Sequence, residues 1–155
     1  MIVGFNHTSF TVTDIQKSVK FWAKQLGFSV ASVSPRQGKW QEDVTGVTNA
    51  SLMVAHLYGH GQHIEFIQYL SGAVDGEAPT PALRCTAHVC LETNDIQKTW
   101  DELMRGGASA QGKIASVTTG AVSGSKAVYI RDPNGILIEL VQLPANQPEK
   151  AEEGL

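Results

Sequence analysis

Hydrophobic and polar residues follow the same order twice along this chain. Near the start, Thr8, Phe10 and Val12 alternate with polar residues, and this spacing predicts a half-buried strand. A stripe of apolar residues at helical spacing comes next, after an aspartate at position 14 that can cap a helix. A similar strand and helical stripe return around Asp95. The pattern therefore predicts two related modules.

Each module is completed by three further strand-like segments, so the predicted order is βαβββ in both. In the first module we expect strands at 5–13, 28–34, 50–58 and 63–70, a helix at 15–26 and an irregular polar loop at 36–49. In the second we expect strands at 86–93, 114–118, 127–131 and 136–143, and a helix from 96 that ends at Gly106. The predicted layout is a first module at 1–70, a connector at 71–84, a second module at 85–144 and a flexible tail at 145–155, within one domain. The predicted fold class is α+β, with two tandem βαβββ modules forming paired curved sheets around a metal-binding cleft and helices outside.

Two short motifs repeat within this pattern. His7 stands seven residues before an Asp-Ile-Gln-Lys sequence, and His88 stands seven residues before the same four residues. The stretch Ile-Glu-Phe-Ile-Gln around Glu65 is echoed by Ile-Glu-Leu-Val-Gln around Glu139. Imidazole and carboxylate groups are ligands that divalent metals take, and a metal removes the cost of a buried unpaired carboxylate. We therefore expect His7, Glu65, His88 and Glu139 to converge on the cleft as metal ligands.

The amino-acid composition indicates which kinds of binding partner and which cellular compartment to expect. The 155 residues are 42% hydrophobic and 17% charged, with a net charge of −3, and no cluster of basic residues suggests a nucleic-acid partner. No apolar run approaches the roughly 20 residues that a membrane span needs, and the N-terminus lacks the pattern of a signal peptide. The cysteines, Cys85 and Cys90, lie too close along one strand for a disulfide framework. A cytoplasmic protein with reduced thiols is the simplest expectation.

The repeated motifs, together with the closing stretch from Tyr129 to Leu140, resemble the vicinal oxygen chelate superfamily. This superfamily holds glyoxalase I, methylmalonyl-CoA epimerase, extradiol dioxygenases, fosfomycin-inactivating thiol transferases and metal-free bleomycin-binding proteins. The resemblance covers about residues 3–143. It implies a small-molecule substrate and one divalent metal per site (Ni, Co, Zn or Mn) on the four repeated residues. Relatives are usually homodimers, although two modules in one chain would also permit a complete site in one copy.

The resemblance implies a metal-dependent lyase or isomerase of the glyoxalase or epimerase type. Such an enzyme abstracts a proton next to a carbonyl and stabilises the enolate on the metal, with Glu65 or Glu139 as the base. Epimerase-like members usually carry glutamine in the place of Glu65, and the connector replaces the stretch with which glyoxalase I handles glutathione. One alternative is an extradiol dioxygenase that uses Fe(II) on a catechol, which Tyr129 favours and for which Glu65 is a surplus carboxylate. Another is a non-catalytic protein that binds a drug or metabolite, although such members usually lack the four ligands.

Several polar residues are candidates for substrate binding. The hydroxyls of Ser9, Thr11 and Tyr129 are expected to face the cleft. Three histidines at positions 56, 60 and 63 straddle a predicted hairpin turn, where exposed loop or strand-edge positions are expected. Because His63 shares a strand face with Glu65, His56 and His63 are nevertheless included among the residues that could line the pocket.

Overall fold

The fold is the predicted α+β class, with two sheets and three helices in the described part of the chain. The computed structural model describes residues 1–74 and 76–145. The first module contains β1 (Thr8–Thr11), α1 (Ile15–Gln25), β2 (Ser29–Arg36), α2 (Lys39–Thr45), β3 (Ser51–Gly59) and β4 (Gln62–Ser71). The second module contains β5 (Val89–Glu92), α3 (Ile96–Arg105), β6 (Ser109–Ala110), β7 (Ala115–Ser116), β8 (Lys126–Arg131) and β9 (Leu137–Gln142).

The two sheets repeat one topology. The strand order is β1-β4-β3-β2 in the first sheet and β5-β9-β8-β6 in the second, where β7 also pairs with β8. The first strand of each module is parallel to the last, and the remaining pairs are antiparallel. Consequently β1 and β5, the strands that follow the two repeated histidines, are both edge strands.

The repeated motifs contribute to the structure as well as to the candidate site. Asp14 caps α1 by accepting hydrogen bonds from the backbone N–H groups of residues 16 and 17, and Asp95 accepts one from that of residue 98. The glutamine that ends each glutamate motif also caps a helix: Gln68 accepts from the N–H of Ile15, and Gln142 accepts from that of Ile96. The last strand of each module thus fixes the start of that module's helix.

One hydrophobic core joins the modules. It contains the inner faces of β3, β4, β8 and β9 together with apolar residues of α1 and α3. Trp22 is fully buried in it and packs edge-on against Phe28 and Phe66. A smaller cluster of Ala50, Leu52 and Val54 forms separately, with Val47, Ile67 and Tyr69 against it.

The turn between β8 and β9 clamps the second module onto α1. Asp132 is buried and accepts hydrogen bonds from the Ser18 hydroxyl (2.6 Å), the Trp22 indole N–H (3.2 Å) and the backbone N–H groups of residues 134 and 136. The Asn134 side chain accepts from the N–H of Asp14 and donates to its carbonyl oxygen. The Arg-Asp-Pro-Asn-Gly stretch is therefore an intermodule clamp.

The structure corrects some of the predicted elements. The stretch 36–49 was expected to be an irregular loop, but it contains α2, whose one buried residue is Gln41. The strand predicted at 114–118 is only two residues long, and β6 is an additional short strand. Apart from Ala145, the predicted tail lies outside the described residues. No described helix is long and apolar enough to cross a membrane.

Candidate metal centre

One face of the first sheet carries a row of polar side chains centred on Glu65. Glu65 pairs in register with Ser9 on one side and with His56 on the other, and His56 pairs with Ser32. Residues paired in register point to the same face, so this row crosses all four strands. The core lies on the opposite face, where Ile64, Phe66 and Leu57 are buried.

Three histidines surround Glu65. The Nε2 atom of His7 lies 3.4 Å from one carboxylate oxygen, and Nε2 of His56 lies 3.8 Å from the other. His63 contacts both of these histidines: its Nε2 is 3.1 Å from Nδ1 of His56, and its ring centroid is 5.3 Å from that of His7. Tyr58 stacks on His63 with ring centroids 4.3 Å apart. We call His7, Glu65, His56 and His63 the first half-site.

The second sheet carries a matching but simpler group. The Nε2 atom of His88 lies 3.1 Å from a carboxylate oxygen of Glu139. Tyr129 pairs in register with Glu139 from the other side, and its ring lies 5.0 Å from that of His88. Tyr129 therefore holds the position relative to Glu139 that His56 holds relative to Glu65. We call His88, Glu139 and Tyr129 the second half-site.

Each half-site stays within its own module. In the described residues no group of three or more His, Cys, Asp or Glu side chains is placed to hold a metal ion. The charged groups that act on His56 all belong to the first module, and those that act on Tyr129 all belong to the second. The structure thus brings His7 to Glu65 and His88 to Glu139, and the convergence of all four stays a prediction.

Burial changes the acidity of one group in each half-site. Burial lowers the pKa of His56 from its ordinary value. This effect is larger than the opposing effect of the Glu65 carboxylate, which raises the pKa. Burial also raises the pKa of the Tyr129 phenol, and Glu139 and Cys90 add to this. Because a raised pKa keeps the phenol protonated at neutral pH, the Tyr129 hydroxyl is able to donate a hydrogen bond.

The candidate substrate-binding residues lie on the predicted faces. Ser9 and Thr11 are exposed on the same face of β1, and Tyr129 is half-buried beside Glu139. The expectation that His56 and His63 are exposed loop or strand-edge residues was wrong, because both are half-buried on the face of Glu65. His60 lies in the turn, with its Nε2 2.8 Å from the carbonyl oxygen of Leu26.

Three polar residues of this face were not found from the sequence. Ser32, Ser34 and Arg36 lie on β2 and face the same side as His56. The alternation Ser32-Val33-Ser34 is the signal that could have located them, since serine and valine on successive positions point to opposite faces.

Comparisons with known proteins identify the class. The model of the Glyoxalase/Bleomycin resistance protein/Dioxygenase superfamily matches residues 4–140. A glyoxalase family protein from Bacillus cereus has the same fold, with a TM-score of 0.77 at 20% identity over 92% of this chain and 95% of that one. A virulence protein of Salmonella typhimurium is 31% identical over 92% of this chain and 85% of its own length. This chain belongs to the glyoxalase/bleomycin resistance/dioxygenase superfamily, as the resemblance to vicinal oxygen chelate proteins predicted.

Two further similar proteins have names that mention a reaction or a bound metal. A 2-epi-5-epi-valiolone epimerase of an Actinomyces species is 25% identical over 94% of this chain and 82% of its own length. The fosfomycin resistance protein FosX of Listeria monocytogenes, solved as a complex with Mn(II) and sulfate, has a TM-score of 0.57 at 13% identity over 94% of this chain and 96% of that one. One relative of this chain is thus named as an epimerase, and one protein of the same fold was solved with Mn(II).

Proposed function

We propose that this chain is a metal-dependent lyase or isomerase, of the epimerase type, that removes and returns a proton at a carbon next to a carbonyl. The observation that carries the proposal is the pair of matching half-sites, in which His7–Glu65 and His88–Glu139 occupy equivalent strand positions. The relative named as an epimerase supports this choice among the reactions of the family.

Two copies of the chain would complete the metal site. Each half-site offers one imidazole and one carboxylate, which is half of a four-ligand set for a divalent ion. The edge strands β1 and β5 support a composite site, because exposed edges pair readily with another chain. A groove of about 890 Å³ runs beside β1 and is bordered by connector residues and by the start of β9. We therefore propose a homodimer in which the first half-site of each copy faces the second half-site of the other.

The residues of such a site would have different roles in the reaction. A bound divalent ion would supply the Lewis acidity that makes a proton next to a carbonyl easier to remove. Glu65 and Glu139 would approach the substrate from different modules, so that one carboxylate takes the proton and the other returns it. Tyr129 would donate a hydrogen bond to a substrate oxygen, and the hydroxyls of Ser9 and Thr11 would hold its polar groups.

The first experiment is metal analysis of the purified protein, followed by titration of the stripped protein with Ni, Co, Zn, Mn and Fe(II). We expect one redox-silent divalent ion per chain and, in D₂O, metal-dependent exchange of the proton next to the carbonyl in a screen of hydroxy ketones. If no metal binds, the proposal fails and a protein that binds a small molecule without catalysis becomes the better account.

A mixing experiment tests the composite site. One variant carries His7→Ala and Glu65→Gln, and the other carries His88→Ala and Glu139→Gln. After subunit exchange, half of the dimers are mixed and one of their two sites is intact, so about a quarter of the wild-type activity should return. If each chain held a complete site, the mixture would stay inactive.

One observation favours a second candidate. Tyr129 lies against both His88 and Glu139, and a phenol beside a His–Glu pair would suit an extradiol dioxygenase. Iron as the bound metal, with oxygen consumption on catechols and no isotope exchange, would favour this second reaction.

A further inference from the structure

We propose that the site accepts a neutral, hydroxyl-rich carbonyl compound and selects against substrates that carry a phosphate or carboxylate group. The inference rests on the proposed function and specifies the substrate class of that site. Its basis is the chemistry of the two sheet faces that carry the half-sites.

The first face presents hydroxyl groups on both sides of Glu65. Ser9 and Ser32 stand at the two ends of the row that contains Glu65 and His56. Adjacent strands are about 4.8 Å apart, so the two serines stand about 14 Å apart, with Glu65 and His56 between them. A compound with hydroxyls around its edge would find a partner on either side.

The next row has an apolar centre. It runs from Thr11 through Ile67 and Val54 to Ser34, so that two apolar side chains lie between two hydroxyls. This row lies about 7 Å along the strands from the row of Glu65. Val54 is buried in the smaller apolar cluster, whereas Ile67 is half-buried, so Ile67 offers the apolar contact to a ring whose hydroxyl-bearing edge meets Thr11.

Both arginines of the described strands already donate hydrogen bonds within the protein. The nine described strands carry three cationic residues: Arg36, Lys126 and Arg131. Arg36 donates to the Ser34 hydroxyl and to the carbonyl oxygen of Pro35. Arg131 donates to Gln111 and to the carbonyl oxygens of residues 135 and 79, at 2.6–2.7 Å.

The remaining charges also disfavour an anion. Lys126 pairs in register with Gln142, whose side chain caps α3, so it lies on the other face from Glu139. Glu92 adds a third carboxylate to the faces that carry Glu65 and Glu139. On the described strands, a phosphate or carboxylate would meet these groups without an available arginine or lysine, the residues that bind such anions.

The test uses matched substrates with the metal-loaded protein. Exchange of the proton next to the carbonyl is followed by NMR in D₂O for erythrulose and for a cyclic polyhydroxy ketone, each beside its phosphate monoester. We expect kcat/KM to be at least about tenfold higher for the neutral member of each pair. Faster exchange of the phosphate esters would overturn the substrate class while leaving the proposed reaction intact. If the metal-loaded protein exchanged the proton of neither the ketone nor its phosphate ester, the substrate class would also be overturned. Failure to bind metal would overturn the proposed function itself.

A pair of variants tests the hydroxyl contacts. The double variant Ser32→Ala and Ser34→Ala should raise KM for the neutral ketone several-fold while kcat and metal content stay the same. Ser116→Ala is the matched control, because Ser116 pairs with Lys126 on the face away from Glu139 and should leave KM unchanged. An unchanged KM in the double variant would contradict recognition through β2.

Discussion

Glu65 and Glu139 hold equivalent positions but have different surroundings. The Glu65 side chain is 14% exposed and has an imidazole near each of its oxygens. The Glu139 side chain is 25% exposed, with one imidazole at 3.1 Å and a phenol in the neighbouring position. The two modules thus share their two potential ligands, but the residue beside the glutamate is a histidine in the first module and a tyrosine in the second.

The first prediction separates metal binding from proton transfer. Glu65→Gln keeps an oxygen that can bind metal but removes the carboxylate, so we expect much of the metal to stay bound while exchange falls at least about a hundredfold. His88→Ala removes a ligand outright, so metal and activity should be lost together. Metal content and deuterium exchange are measured on the same samples.

Glu92→Gln provides the control for these variants. Glu92 lies on the same face as Glu139 but is exposed at the rim of β5, so its removal should leave metal content unchanged. Full metal and full turnover in both Glu65→Gln and His88→Ala would refute the assignment of the four ligands.

The lowered pKa of His56 gives a second prediction. An unfolded chain takes up a proton at His56 as the pH falls through 6.5, whereas the folded chain does so only at lower pH. Stability from this group is therefore complete above pH 6.5 and is lost below it. In metal-stripped protein, His56→Gln should lose less of its Tm than the wild type between pH 7.5 and pH 5.5. An equal loss in both proteins would show that other groups control the acid sensitivity.

At the scale of elements, the clamp between the β8–β9 turn and α1 gives a third prediction. Asp132→Ala would leave buried donors of Ser18 and Trp22 without a partner, at a cost of about 3–5 kcal/mol. The Tm should fall by about 10 °C or more, as measured by calorimetry.

Two comparisons isolate the effect of the clamp. Asp101→Ala, on the exposed side of α3, should change stability by less than about 0.5 kcal/mol. Asp132→Asn keeps one acceptor oxygen and should fall between the two. If Asp132→Ala matched Asp101→Ala, the clamp would contribute nothing to stability.

The sequence was informative where local chemistry decides the structure. The repeated aspartates predicted both long helices, and the alternation around Glu65 and Glu139 predicted the faces on which they lie. Helix α2 was missed because its N-cap residue is Gly38, which has no side chain to cap the helix, and because the helix buries only Gln41. Neither a capping residue nor an apolar periodicity therefore marks this helix in the sequence. The amide atoms of the buried Gln41 have no hydrogen-bond partner in the described residues.

At the scale of the whole molecule, the relation between the half-sites could not be read from the sequence. The repeat gives the same face in each module, but it does not say how the modules pack on each other. That packing depends on long-range contacts such as Trp22 with Asp132, which the sequence showed only as a core tryptophan and a turn aspartate. The four-residue site was predicted from the repeated motifs and from the family resemblance, and the structure places its two pairs within separate modules.

A fourth prediction connects metal binding with assembly. If each metal is held by two copies, the ion binds the dimer and not the separated chains, so it stabilises the dimer by mass action. Sedimentation velocity over a dilution series should give a lower dissociation constant with metal than with chelator. His88→Ala should abolish the difference, and an effect of metal that persists in this variant would contradict a shared site.

The division of the candidate ligands between two modules has a consequence for cells that make two related chains of this kind. If each site is assembled across two copies, a mixed pair holds two hybrid sites, and each differs from the site of either pure dimer. Two genes would then encode four kinds of catalytic pocket. Selection on a substitution in one gene would therefore depend on the partner supplied by the other.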